Sequence, residues 1–407
     1  MSLCHVGLST VADVFNGKTP SKSEQRDEGF PVLKIKDVDE DFKFRGKFQS
    51  FVDQDFYAKH EAKKIQLHDS LILNAAHNSS YVGSKQYCAE GFVVDSIATG
   101  EWLVCRAHKK VLDPKYLNFW LRSAATRFEM SGLVKGIHLY PKDVARLEIP
   151  LPPLETQKQI AAILEKADQL RKDCQQMEQE LNNLAQSVFM DMFGDPVTNP
   201  KGWKTMPLGS VINGGMQNGA YFPKEEYSEE GVEMVHMSDV FYDFVRRGKL
   251  KRVNASGSDI KKYRLTSKDI LISRRSLMLE GAAKPSLIAE SEEDLIFESS
   301  MIRITPNPDL VGVKYLFYYL SNPLVKSNYI FKFVTGATIK GINQKNLENV
   351  TVLVPDLSLQ ERFESLEQNI REQKNQITLL KEEYDTSFNA MMQKAFNGEL
   401  NIKSKAA

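Results

Sequence analysis

The chain has 407 residues, of which 42% are hydrophobic, 10% aromatic and 26% charged, a composition that excludes a disordered polymer and suits two or three globular domains. Basic and acidic residues number 53 each, so the net charge is zero, which weighs against a protein that coats nucleic acid without regard to sequence. No apolar run is long enough to cross a bilayer, residues 1–10 show no leader pattern, and Cys4, Cys88, Cys105 and Cys174 form no C-x-x-C pair; a cytoplasmic protein with free thiols, no metal site and no membrane segment is expected.

Val32-Leu33-Lys34-Ile35-Lys36 and Asp69-Ser70-Leu71-Ile72-Leu73 read as strands. The polar stretch after the second holds Asn74, His77, Asn78 and Ser79, with Lys85 just beyond. Amides fork onto adenine, and hydroxyls and ammonium groups meet bases or phosphates, so these are candidate DNA contacts. A solvated polar loop is the plain alternative for any one of them. Tyr116 to Arg127 reads as a helix. Lys135-Gly136-Ile137-His138 then offers Lys135 as a candidate phosphate grip, or simply a tight glycine turn with a solvated lysine.

Pro152-Pro153 ends this segment, and a long helix follows. Ile160, Ile163, Ala167, Leu170, Cys174, Met177, Leu181, Leu184 and Val188 alternate by three and four, the a/d pattern of a coiled coil. Thr156 with Gln159 suits a capping box at its start, and Gly194 before Asp195-Pro196 suits its stop.

From there the chain repeats itself with a period near 200 residues. Leu8-Ser9-Thr10-Val11 matches Leu208-Gly209-Ser210-Val211, and Asn16-Gly17 matches Asn218-Gly219. Asp69-Ser70-Leu71-Ile72 matches Asp269-Ile270-Leu271-Ile272, Gly136-Ile137 matches Gly341-Ile342, and Gln157 matches Gln360. Val235 to Val240, Asp269 to Ser273 and Asp294 to Ile304 read as strands, and Lys314 to Ser327 as a helix, so each globular segment is expected to be α+β. The loop matching Asn74–Ser79 is Ser273-Arg274-Arg275-Ser276; Arg274, Arg275, Ser276 and then Lys284 are candidate DNA contacts, as is Lys340 in Lys340-Gly341-Ile342-Asn343. Different loop chemistry on one scaffold would read different sequences. The run Arg246, Arg247, Lys249, Lys251, Arg252 is a solvated face or a backbone-tracking patch.

A second long helix closes the chain, opened by a possible capping box of Ser358 with Glu361. Phe363, Leu366, Ile370, Gln373, Ile377, Leu380, Tyr384, Ser387 and Met391 each stand 203 residues beyond their counterparts in the first helix. The expected interface therefore runs through Ile160, Ile163, Leu170, Met177, Leu181 and Leu184 on one helix and Phe363, Leu366, Ile370, Ile377, Leu380 and Tyr384 on the other, paired antiparallel. Both helical segments carry net charge −3. The expected division is a target-reading domain at 1–153, a helix at 154–194, a second reading domain at 195–356, a helix at 357–398 and a tail at 399–407.

No Asn/Asp-Pro-Pro-aromatic motif of an amino-methyltransferase and no phosphate-binding Gly-Lys-Ser/Thr loop is present, and Glu61-Ala62-Lys63 lacks the context of a nuclease motif, so no catalytic residue is expected. Ile149-Pro150-Leu151-Pro152-Pro153-Leu154-Glu155-Thr156-Gln157-Lys158-Gln159-Ile160, Asp269-Ile270-Leu271-Ile272-Ser273-Arg274, Leu208-Gly209-Ser210-Val211 and Ala395-Phe396-Asn397-Gly398-Glu399-Leu400 carry a family likeness. Through them the whole chain resembles the specificity subunit of a Type I restriction–modification enzyme. It departs in lacking an arginine-rich turn after Leu73 and in having Val354-Pro355-Asp356 where a double proline is favoured. The resemblance implies two target-recognition domains and two long helices in an antiparallel coiled coil. It implies a bipartite site on double-stranded DNA, two methylation subunits and restriction subunits as partners. S-adenosylmethionine, ATP and Mg would then sit on those partners rather than on this chain. Half-sites about one helical turn apart, 10–10.5 bp, would suit such a duplicated reader. A coiled-coil adaptor with no nucleic-acid role and a self-sufficient methyltransferase are the rival readings.

Overall fold

The computed structural model describes residues 4–40, 42–240 and 243–400; most of the expected tail, residues 401–407, lies outside them. The fold is α+β and falls into two compact units, Met1–Gln175 with Leu379–Ala407, and Gln176–Thr378. Each unit thus takes a globular segment together with half of each long helix.

In the first unit, strands Ala12–Asn16, Trp102–Ala107, Ser70–Leu73 and Gln86–Cys88 form an antiparallel sheet in that order. A second sheet orders Gln25–Arg26, Phe51–Val52, Phe30–Leu33 and Ile97–Ala98, its last pair parallel. The second unit repeats both: Ile212–Asn218, Met301–Pro306, Ile270–Ser273 and Pro285–Leu287, then Tyr227–Ser228, Lys251–Val253, Val232–Val235 and Leu295–Phe297, again with a parallel last pair. The central strands, Ser70–Leu73 and Ile270–Ser273, are buried at every residue, as strands covered on both faces must be. Gly17 and Gly219 show why the sequence match there is strict. A Cβ on Gly17 would lie 2.3 Å from the carbonyl oxygens of Ala98 and Thr99, and one on Gly219 would lie 2.2 Å from that of Phe297, so only glycine admits the crossing strand end.

The helices expected over Tyr116 to Arg127 and Lys314 to Ser327 are each broken once. Pro114–Arg122 gives way to Ala124–Gly132 at Ser123, whose side chain accepts from Thr126 N; Val313–Ser321 gives way to Pro323–Val325 at Asn322, whose side chain accepts from Leu324 N. A capping side chain outcompetes helix continuation at the same point in both units.

Strands Glu148–Pro150 and Thr351–Val354 run straight into the long helices, Leu154–Phe193 and Leu357–Phe396. Both helices start ahead of Thr156 and Ser358, so the expected capping boxes lie inside the first turn. A buried glutamine replaces them. Gln157 Nε2 donates to the carbonyls of Val111 (3.0 Å) and Pro152 (2.8 Å), while its Oε1 accepts from Asp113 N at 2.9 Å. Gln360 does the same with Leu310 (3.1 Å), Pro355 (2.9 Å) and Gly312 N (2.8 Å). Gly194 and Gly398 adopt φ of 80° and 76°, the left-handed helix stops expected of them.

The seam between the helices is half of what the a/d reading expects. Ile160, Cys174, Phe363 and Ile377 are buried, and Leu181, Ile370 and Tyr384 are partly so. Ile163, Leu170, Met177, Leu184, Leu366 and Leu380 are not in the seam: they stand 38–46% exposed. The buried partners of the a positions lie one residue further on, at Leu164, Ala185, Glu367 and Phe388, with Arg171 partly covered. Polarity hid this register. Arg171 enters the seam because its Nε meets Asp385 Oδ1 at 2.5 Å and its guanidinium lies 4.5 Å from the Phe388 ring centroid. Asp168 is buried beside the seam, where Arg122 of the globular segment and Arg171 and Lys172 of its own helix surround it; burial works against its charge, and the cations outweigh burial and hold its pKa below the ordinary value. In the second unit Phe189, Phe193, Tyr315, Tyr318 and Phe363 form a ring cluster with centroids 4.8–6.3 Å apart, each buried ring contributing about 2–3 kcal/mol. No described helix is long and apolar enough to cross a membrane.

Candidate nucleic-acid interface

In the second unit the strand Ile270–Ser273 delivers the chain to Arg274, and the next two residues, Arg275–Ser276, pair antiparallel with Lys340–Gly341. Ile342 N donates to Arg274 O at 3.0 Å, and Thr335 and Gly341 exchange backbone hydrogen bonds of 2.8 and 2.9 Å. The arginine loop and the lysine–glycine loop, 65 residues apart between Arg275 and Lys340 in sequence, are therefore one surface. Arg275 is exposed and Arg274 half-buried, and neither guanidinium bonds to another described residue. Both are available to fork onto a base edge or a phosphate. Ser276 is committed in part, its Oγ accepting from Met278 N at 3.1 Å. Lys340 is half-buried on the hairpin, its Nζ donating to Gly336 O at 2.9 Å. Lys284 is set behind the loop; burial pulls its pKa down against the opposing pull of Asp243.

The first unit makes the same joint. Ala75 bridges His138, Ala76 N donates to Ile137 O at 3.4 Å, and Leu139 N donates to Asn74 O at 2.8 Å. By these bonds Asn74 stands where Arg274 stands, and Leu139 where Ile342 stands. The sequence match of Gly136-Ile137 with Gly341-Ile342 is therefore corrected: the second unit's hairpin is three residues longer, and Lys135 corresponds to Thr335, not to Lys340.

Several expected contacts in the first unit are structural instead. Asn74 is buried, and its amide donates to Asn16 Oδ1 (2.9 Å) and Gly100 O (3.0 Å), leaving it unable to reach a base. Lys85 is buried too, its Nζ donating to Val38 O (2.9 Å) and Glu40 Oε1 (3.3 Å). Asn78 spends its side-chain oxygen on Ser80 N and Oγ, both at 3.0 Å. Lys135 is held at 2.7 Å by Asp143, whose pKa that hydrogen bond lowers. His77 and Ser79 remain exposed. His77 borders a cavity of about 820 Å³ lined with Phe42, Tyr81, Glu101 and Ile137 among others. Sequence periodicity finds none of these four; the signal, if any, was the position of Tyr81 and Ile137 within the two polar loops. Replacing Lys85 by methionine should lower stability by about 1–2 kcal/mol, because Val38 O loses its donor, and leave the DNA site unchanged. Thermal unfolding and methylation mapping of the variant check this; an altered site at unaltered stability would return Lys85 to the interface.

The basic run is in part structural. Arg247 Nε lies 3.0 Å from the buried Glu233, and Arg252 Nη2 lies 2.7 Å from Glu293, so two of its five cations neutralise carboxylates of their own unit. Lys249 and Lys251 are exposed.

Comparison with known proteins follows the same duplication. The profile of the Type I restriction modification DNA specificity domain matches residues 5–183 and again 200–380. The Type I restriction enzyme MjaVIII specificity subunit of Methanocaldococcus jannaschii is 25% identical over 318 residues, covering 72% of each chain. The putative type I restriction enzyme MjaX specificity subunit of the same organism is 22% identical over 98% of this chain and 93% of that one. Among solved structures, one described under complex assembly and conformational transition of the type I R-M system aligns with TM-score 0.56 and 20% identity over 98% of both chains. The S subunit of the Type-I restriction-modification system from M. genitalium aligns with TM-score 0.56 and 13% identity, over 99% of this chain and 97% of that one.

Proposed function

This chain belongs to the Type I restriction modification DNA specificity family, and from that premise we propose that each of its two α+β domains reads one half of a bipartite, asymmetric site on double-stranded DNA. The observation that carries the reading is the duplicated two-loop joint with unlike chemistry: Arg274, Arg275 and Lys340 in the second unit, His77, Ser79 and the Phe42–Tyr81–Ile137 cavity in the first. One scaffold with two sets of reading groups yields two different half-sites. The family domain matches twice, over most of the chain, which favours this reading over a coiled-coil adaptor.

The chemistry belongs to partners. Methylation subunits would hold S-adenosylmethionine, and restriction subunits ATP and Mg, while this chain positions them. We assign the methylation subunits to the apolar rows that the helix seam leaves outside. Ile163 and Met177 on one helix and Leu366 and Leu380 on the other recur at matching positions, 203 residues apart, which suits two equivalent partner copies. A row of apolar residues at seven-residue spacing is what an amphipathic partner helix recognises. The helices, each 40 residues and so about 60 Å long, would set the gap between half-sites.

Replacing Arg274 and Arg275 by alanine tests the reading. Each bidentate contact to guanine discriminates by about 1–3 kcal/mol, so the variant complex should methylate with relaxed choice at one half-site and full fidelity at the other. Methylome sequencing reads both halves at once. Uniform weakening on every sequence, with a shallower salt dependence, would make the pair phosphate contacts instead.

A further inference from the structure

We propose that the tip Leu277-Met278-Leu279, backed by Ile339, is an apolar wedge that enters a base step of the half-site read by the second unit and kinks the duplex there. The proposal rests on the DNA-reading role above and adds to it a deformation carried by named residues.

The tip is unusually bare. Leu277 is 75% exposed, Met278 67% and Ile339 53%. Ser276 pairs with Lys340, so the next positions outward along that ladder are Leu277 and Ile339, which places the apolar groups side by side. The tip is also pre-formed. Met278 N donates to Ser276 Oγ (3.1 Å), Gly281 N to Met278 O (3.2 Å), Ala282 N to Leu279 O (3.1 Å) and Ala283 N to Ser273 O (2.9 Å). Gly281 lets the turn close, since a Cβ there would lie 2.3 Å from Ser276 Oγ. A hydrogen-bonded turn that holds large apolar side chains in water is costly unless something covers them.

Charge decides what covers them. Arg274, Arg275 and Lys340 flank the tip, and Lys326 reaches it with Nζ 3.2 Å from Glu280 O; Glu280 is the one carboxylate within the tip. The surface that answers an apolar point ringed by cations is a polyanion with apolar faces inside it, which is what stacked base pairs between phosphates are. Apolar side chains inserted at such steps unstack them and kink the duplex by about 20–90°. Pyrimidine–purine steps yield most easily, so the wedge also confers a preference for TA or CA/TG without a single base hydrogen bond.

The first unit sharpens the point. Its equivalent turn is Ser79–Tyr81, polar but for Tyr81, and beside it lies a cavity rather than a projection. The kink is therefore confined to one half-site.

The experiment uses the full chain assembled with its methylation partner. Duplexes carry 2-aminopurine at successive positions of the second unit's half-site, leaving out the adenine that is methylated. One step should brighten on binding the unmodified complex. Leu277→Ser with Met278→Ser should abolish that rise and weaken binding by about tenfold, the bend's extra contacts being forfeited, while Leu277→Met with Met278→Leu keeps both. If the unmodified complex binds its site specifically and no step brightens, the wedge is wrong and the reading role stands. If it binds no sequence specifically, the reading role itself fails and the wedge with it. If the serine variant no longer assembles with its partner and no step brightens in the unmodified complex, the tip is a protein contact and the proposal is overturned.

Discussion

Removing one heptad from each long helix, residues 172–178 and 378–384, should shorten the preferred gap between half-sites by about three base pairs while leaving the half-sites themselves unchanged. Seven residues span about 10.5 Å of helix at 1.5 Å each, and B-DNA advances about 3.4 Å per base pair. A whole heptad is the right unit because it carries the seam back onto itself, with a drift of only about 20°. Both the buried row through Ile160, Leu164, Phe363 and Glu367 and the exposed row through Ile163 and Leu366 keep their faces. The DNA does not enjoy the same symmetry. Three base pairs turn a half-site by about 100° at 10–10.5 bp per turn, so the shortened protein should bind its new optimum more weakly than the parent binds its own. Binding selection from a library with every gap length reads the optimum directly. An optimum that stays where it was would show that the helices do not measure the gap, and the length-setting role would be abandoned with the domain assignments intact.

The second large effect is on assembly. Glutamate at Ile163 and Leu170 should leave the fold intact and abolish association with one of the two methylation subunits, leaving the copy on the Leu366 and Leu380 row in place. Both positions are more than a third exposed, so charge there meets water and costs little stability. Buried against a partner helix they would act as anchors, each worth about 2 kcal/mol or more, so the double change should weaken binding of that copy by about a thousandfold. Glutamate at Leu164, one residue along the helix and fully buried, is the internal contrast: it should lower the unfolding temperature steeply, because an unpaired charge is forced into the core. Sedimentation of the mixed subunits and thermal unfolding of the chain alone distinguish the cases. Normal assembly of the Ile163, Leu170 variant would place the partner elsewhere on the molecule.

The helix rows show where pattern reading stops. The alternation of three and four from Ile160 to Val188 is sound, and the helix is there. Choosing the second row by hydrophobicity selected Ile163, Leu170, Met177 and Leu184, because Arg171 and Glu178 on the competing row look like surface residues. The ion pair of Arg171 with Asp385, distant in sequence, reverses that choice there. The loops fail in a similar way. Asn74, Lys85 and Asn78 have the side chains of base readers, yet each satisfies backbone or neighbouring groups of the fold. Arg274 and Arg275 have the same credentials and remain uncommitted. Nothing local separates the two cases.

The sequence by itself determined the duplication, the α+β class, the central strands, both long helices with their glycine stops, and the family. Each of these is written in near-neighbour spacing or in an ordered series of matches, and the backbone obeys such signals wherever the chain goes. Only the tertiary structure decided which helix row is core, that the two polar loops of each unit are one surface, and which of their cations are free. Those outcomes depend on hydrogen bonds and ion pairs closed over tens of residues or more, whose strength is set by burial that no local window contains.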